Sequence, residues 1–169
     1  MPLAGLIAWS IVGIAGLTLP PFQTVITLFV ATGSIVYLGL FISKLTGEGF
    51  LDRSKPKNAF DRLFFHSVAS SLVVFAIAIP FFLIDHTSLP LTVGILTCLM
   101  WLPLSWIIEH WIGIAHVALR TAGIIILWYV WPEGRFVGIP FFIVAVYLFT
   151  IVVLEARWRS RRSLRPALS

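Results

Sequence analysis

The chain has 169 residues, of which 59% are hydrophobic and only 11% charged, with a formal net charge of +5 and a mean hydropathy of +1.01. A soluble domain carries about 25% charged residues, and a soluble chain of this length could not hide so much apolar surface from water. With one Asn (Asn58) and one Gln (Gln23) in the whole sequence, the composition excludes a soluble globular domain and predicts an integral membrane protein.

Crossing about 30 Å of hydrocarbon takes roughly 17 to 25 helical residues. Six apolar runs approach or meet that length, which predicts an all-α integral membrane protein: a single domain over residues 1–169, with six transmembrane helices in a compact bundle. The first run, Leu3 to Leu19, reads as a retained helix rather than a secretory signal. It has no basic residues before the apolar stretch and ends at Pro20-Pro21 without a small-x-small cleavage site.

The second run, Thr24 to Ser43, leads into a charged connector, residues 44–62, with Phe50, Leu51 and Phe60 expected at the membrane interface. The third, Leu63 to Ile84, ends at Asp85 to Pro90, and the fourth spans Leu91 to Ile108. Pro80 and Pro103 fall inside these two runs, where each is expected to free the carbonyl four residues earlier, on Ala76 and Leu99. Glu109-His110-Trp111 separates the fourth run from the fifth, Ile112 to Trp131; Pro132 to Arg135 precedes the sixth, Phe136 to Leu154. The one cysteine, Cys98, lies mid-span with no disulfide partner.

Ten of the twelve Lys and Arg residues lie in two places: Lys44, Arg53, Lys55, Lys57 and Arg62 in the connector, and Arg157, Arg159, Arg161, Arg162 and Arg165 in the tail. Six crossings put both clusters and both termini on one face, and the positive-inside rule makes that face cytoplasmic. A five-span arrangement that fuses the fourth and fifth runs would split the clusters, so the charge count also supports the break at Glu109. The tail, residues 155–169, suits anionic lipid headgroups, worth about 1 kcal/mol per cation near the surface, rather than nucleic acid. Trp111 and Trp158 are expected at the cytoplasmic surface and Trp128 and Trp131 at the outer one, with Trp9, Trp101 and Trp106 deeper as packing residues.

Small residues let helices approach in lipid. Gly13 with Gly16, Ala31 with Gly33 and Ser34, Ser67 with Ser71, and Ala118 with Ala122 are the expected contacts. The small-residue faces of the first two spans are offered to a second copy, so a homo-oligomer is expected.

Chemistry concentrates on the fifth span. Gly113, His116, Arg120, Gly123 and Leu127 recur at spacings of three and four and share one helical face, with Glu109 ahead of them if the helix ran further back. Arg120 lies roughly 12 Å into its span, too deep to snorkel, and an Arg in hydrocarbon costs from about 2.5 to well over 10 kcal/mol, so it needs a partner or water. Glu109 is the expected partner by direction. With His66, one turn into the third span, the set His66, Glu109, His110, His116 and Arg120 is expected to line a polar vestibule open to the cytoplasm. No zinc box, glycine-rich nucleotide turn, phosphate loop or paired cysteine occurs, so no metal, cofactor or catalytic residue is assigned.

The runs His116-Val-Ala-Leu-Arg120-Thr and Trp131-Pro132-Glu-x-Arg135-Phe136-Val-x-Ile-Pro140 resemble a family of small bacterial multi-pass membrane proteins that carries only a domain-of-unknown-function label. The resemblance implies a bacterial inner (plasma) membrane location and no particular activity. Three readings of the vestibule follow: small-solute transport, of an anion in particular, or a membrane-accessory role; an intramembrane enzyme acting on a lipid or headgroup with Glu109 and His116 as acid and base; and a purely structural lock between helices. The first is the expected function, with the enzyme as the alternative.

Overall fold

The computed structural model describes residues 2–46 and 59–164, and among them the protein is all-helical. Helix α1 (Pro2–Thr18) is followed by α2 (Pro21–Gly33), α3 (Ile35–Thr46), α4 (Ala59–Ile84), α5 (Leu89–Leu96), α6 (Trp101–Ile107), α7 (Ile112–Val130) and α8 (Arg135–Leu164). Helical segments therefore occupy each of the six apolar runs. Three helical stretches are long and apolar enough to cross a membrane: His86–Ile107, Ile112–Val130 and Pro132–Ser160. The bent pair Pro21–Gly33 and Ile35–Leu45 makes a fourth if it is one span, while Pro2–Thr18 and Leu72–Ile84 are shorter apolar helices.

The breaks have local causes. Pro20 takes extended dihedrals and Pro21 opens α2, as suits a residue with fixed φ and no N–H. The buried Thr24 hydroxyl lies 3.2–3.3 Å from the carbonyls of Ala15, Leu19 and Pro20 and so closes the end of α1. Between α2 and α3 the axis bends by 46° at Gly33-Ser34, a pair that commonly kinks helices. Asp85 caps the turn after α4, its carboxylate accepting from both the N–H and the hydroxyl of Thr87 at 2.8 Å.

The fourth apolar run is itself interrupted. Residues 97–100 form tight turns between α5 and α6, with the N–H groups of Cys98, Leu99, Trp101 and Leu102 bonding three residues back. Pro103 consequently sits in the first turn of α6, where its missing N–H costs little. The Leu99 carbonyl expected to be free accepts instead from the N–H of Leu102 at 3.1 Å.

Helix α6 ends in a Schellman cap: His110 N–H bonds to the Ser105 carbonyl at 3.1 Å and Glu109 N–H to the Trp106 carbonyl at 3.2 Å, with Glu109 left-handed at φ 49°. This reversal ends the helix ahead of Glu109 and rules out the backward extension of α7.

The core is a seam of α1 against α8, flanked by α7 and α5. Gly5 packs under the ring of Tyr147, Gly13 under that of Phe141, and Gly16 against the carbonyl of Phe136. That carbonyl is the one freed by Pro140, four residues on within α8, so glycine brings two backbones together where a hydrogen bond is missing. The small face of α1 is thus used inside the chain and is not left for a second copy. Ala118 and Ala122, by contrast, are exposed, and the Cβ of Gly33 would meet nothing within 4 Å. The side chains of Phe60, Ser67 and Ser71, and most of the 44–62 connector with Phe50 and Leu51, lie outside what the structure describes.

Two polar ties hold opposite ends of the bundle. At one end Arg135 donates to the Thr87 hydroxyl at 2.7 Å and pairs with Asp85 at 3.4 Å, its guanidinium 3.4 Å over the Trp128 ring. At the other, Arg157 donates to the Ile108 carbonyl at 2.7 Å, a cation satisfying a helix C-terminus.

Candidate functional site

Helical spacing puts His116 and Arg120 one turn apart on the inner face of α7, and both are 0% exposed. The groups that meet them come from four other segments. Arg120 Nη2 donates to Thr97 Oγ1 at 2.7 Å and Nη1 to the Tyr147 hydroxyl at 3.2 Å. The guanidinium carbon stands 5.2 Å from the Trp9 ring centroid and 5.4 Å from that of Tyr147, within range of a cation–π attraction.

His116 stacks on Trp101, with centroids 4.3 Å apart, and meets Tyr147 edge-on at 4.9 Å. Its Nδ1 lies 2.8 Å from Thr150 Oγ1, and that hydroxyl donates in turn to the Val146 carbonyl at 2.8 Å. Because the hydroxyl proton is spent there, Nδ1 carries the hydrogen and donates to Thr150, a tautomer assigned from the network. The same logic holds for Thr97, which donates to the Val93 carbonyl at 2.8 Å and accepts from Arg120.

What this cluster lacks is as specific as what it holds. Among the described residues no carboxylate pairs with Arg120. Arg120 Nε, His116 Nε2 and Trp9 Nε1 are all buried without a hydrogen-bond partner. Unpartnered polar atoms in a core are costly, and two of the three are N–H donors: Arg120 Nε, part of the charged guanidinium itself, and Trp9 Nε1 on the ring it faces. The arrangement suits an acceptor carrying negative charge.

The five residues expected to form a vestibule are not brought together. Glu109 is exposed on the capped end of α6 and does not reach Arg120, whose acceptors are the neutral hydroxyls of Thr97 and Tyr147. His66 is exposed on α4. His110 is half-buried and structural, its Nδ1 accepting from Ile112 N–H at 3.2 Å and its carbonyl from the Ser105 hydroxyl. Glu109 and His116 therefore do not form an acid–base pair.

In the tail, Arg159 pairs with Glu155 on the exposed side of α8 and Arg157 is engaged with Ile108. Arg161, Arg162 and Arg165 lie outside the residues whose side chains are described. No group of three or more metal-ligating side chains occurs among the described residues.

Nothing in the sequence marks Trp9, Thr97, Trp101, Tyr147 and Thr150 as partners of His116 and Arg120. Only the depth of Trp9 and Trp101 in their spans hints at it; both are buried, whereas Trp106, expected as a packing residue with them, is 73% exposed and does not pack into the cluster.

Neither a curated protein nor a solved structure matches the chain. A family model does, over residues 1–157, a stretch that takes in every residue of the cluster. The chain belongs to the family described as "Family of unknown function (DUF7010)".

Proposed function

We propose that this is a six-span bacterial inner-membrane protein, with both termini cytoplasmic, that binds a small acidic ligand at Arg120 in a transport or membrane-accessory role. The observation that carries the reading is a fully buried guanidinium with no carboxylate partner and an unbonded Nε. Intramembrane charges of this kind are rare and expensive, and mark ligand or ion sites more often than other buried residues do. Its two hydroxyl acceptors leave most of its five N–H groups and its whole charge available.

The orientation is supported by charge: both basic clusters fall on one side only if the crossings are even in number. The contacts of α1 along α8, from Gly5 at Tyr147 to Gly16 at Phe136, run the two helices antiparallel and support termini at the same end. The basic tail would hold that end to anionic headgroups.

Iodide quenching of tryptophan fluorescence tests the site in nanodiscs. An iodide ion bound at the guanidinium sits beside Trp9 and quenches it saturably, whereas the exposed tryptophans are quenched in linear proportion to iodide. The saturable part should vanish in Arg120→Gln and in Trp9→Phe and be competed by chloride or acetate. A saturable part that persists unchanged in Arg120→Gln would remove Arg120 as the site, and its absence from the wild-type protein would remove the anion reading.

A further inference from the structure

A cavity of about 280 Å³ opens between the α2–α3 bend, α4, α5 and α8. Its mouth is on the apolar outer surface, where Phe29 is 43% and Leu72 63% exposed; its floor is the core, where Val93 is 2% and Tyr147 3% exposed. The 46° bend at Gly33-Ser34 angles α3 away from the line of α2 at this point, and Gly33 adds no side chain to fill the gap.

The walls are almost wholly apolar. Three lining residues carry hydroxyls: Thr32, Thr97 and Tyr147. The Thr32 hydroxyl is spent on the Leu28 carbonyl at 2.6 Å. Thr97 and Tyr147 are the same two residues that receive the Arg120 hydrogen bonds. A channel for an apolar chain therefore ends on the two groups that hold an uncompensated buried cation, and among the described residues the Tyr147 hydroxyl proton has no acceptor.

We propose that this cavity holds the single apolar chain of an amphiphile that enters from the lipid side, with its acidic head at Thr97 and Tyr147 against Arg120. The proposal rests on the reading of Arg120 as an acid-binding site and names the ligand class. Size argues for one chain: 280 Å³ lies just below the usual range of ligand pockets, about 300–1,000 Å³, and leaves no room for a two-chain lipid. Charge argues for the acidic head, since a neutral one would leave the guanidinium as uncompensated as before. A carboxylate and a phosphate head share this chemistry.

The test is equilibrium binding of radiolabelled decanoate to the full chain in nanodiscs, corrected for empty nanodiscs, with decyl phosphate, decanol and acetate as competitors. Decanoate or decyl phosphate should bind saturably, and whichever competes more strongly identifies the head. Decanol, with the chain alone, and acetate, with the head alone, should each compete at least tenfold more weakly. Gly33→Phe, which places a ring where the Cβ meets nothing, should weaken decanoate at least tenfold while leaving the saturable iodide quenching of Trp9 intact. Val36→Phe in the same wall serves if the first variant does not fold.

Equal competition by decanol and decanoate would overturn the proposal, as would undiminished decanoate binding in the plugged variants. If neither decanoate nor decyl phosphate, each labelled in turn, binds but iodide still quenches Trp9, the cavity proposal falls and the Arg120 site stands. If iodide fails to quench Trp9 saturably as well, both fall.

Discussion

Replacing Arg120 with Met removes the charge while keeping a long side chain in the core, and its effect on stability separates a ligand site from a structural lock. The guanidinium is 0% exposed, and the penalty for such an ion is several kcal/mol, from about 2.5 to above 10 depending on how far water and protein relax. Against this stand two charge-assisted hydrogen bonds, each worth about 1.5–3 kcal/mol. The faces of Trp9 and Tyr147 add about 0.5–2 kcal/mol each. Gains of about 4–10 kcal/mol thus roughly match the cost.

No carboxylate would be stranded by the substitution, and Thr97 keeps its bond to Val93. Arg120→Met should therefore shift stability by less than about 2 kcal/mol, unlike the 3–5 kcal/mol lost when half of a buried ion pair is removed. The assay is unfolding in nanodiscs with and without the anion. A ligand at a hundred times its Kd adds about 2.7 kcal/mol to the wild type and should add nothing to the variant. A loss above about 4 kcal/mol without any anion, partly restored by Lys, would refute the reasoning and make the guanidinium a structural lock.

Glu109→Gly should stabilise the protein by about 1 kcal/mol, because the left-handed φ of 49° strains any residue with a Cβ, and should leave anion binding unchanged; thermal unfolding and iodide quenching check both parts. Gly16→Val should cost about 1–3 kcal/mol, since its Cβ would meet the rigid Phe136 carbonyl, whereas Gly33→Ala, with open space around it, should cost far less in the same unfolding assay.

At Asp85, partial burial pushes the carboxyl pKa up, but the Thr87 hydroxyl, the Thr87 N–H and Arg135 together hold it below its usual value. A carboxyl lowered on folding contributes stability above its unfolded pKa, about 3.9, and loses it as the pH falls through the folded value. The unfolding midpoint of the wild type should drop below about pH 4, and Asp85→Asn should flatten that part of the profile.

Much of the architecture was legible because it is written locally. Apolar run length marks helices, and the prolines at 20, 21 and 132 mark breaks. The three-four spacing of Gly113, His116 and Arg120 marked the face of α7 that is buried. The partners of that face were not legible, since Trp9, Thr97, Tyr147 and Thr150 arrive from α1, the turn after α5, and α8, and periodicity within one helix carries no register between helices. Glu109 is hidden for a related reason: direction along α7 points to it, but its left-handed cap turns the chain before α7 begins. Pro103 was placed mid-helix because composition does not register the tight turns at residues 97–100 that put it in a first turn instead. The cavity depends on the bend at Gly33-Ser34, a pair seen in the sequence only as a packing contact.

The central claim is that the buried Arg120 guanidinium holds an anion. Anomalous diffraction from crystals grown in a lipidic phase with bromide tests it most directly. A bromide peak is expected within hydrogen-bond reach of Arg120 Nε, beside Trp9 Nε1, and should disappear in Arg120→Met. A core with no such peak, in which Nε is bonded to a protein carbonyl or hydroxyl, would contradict it.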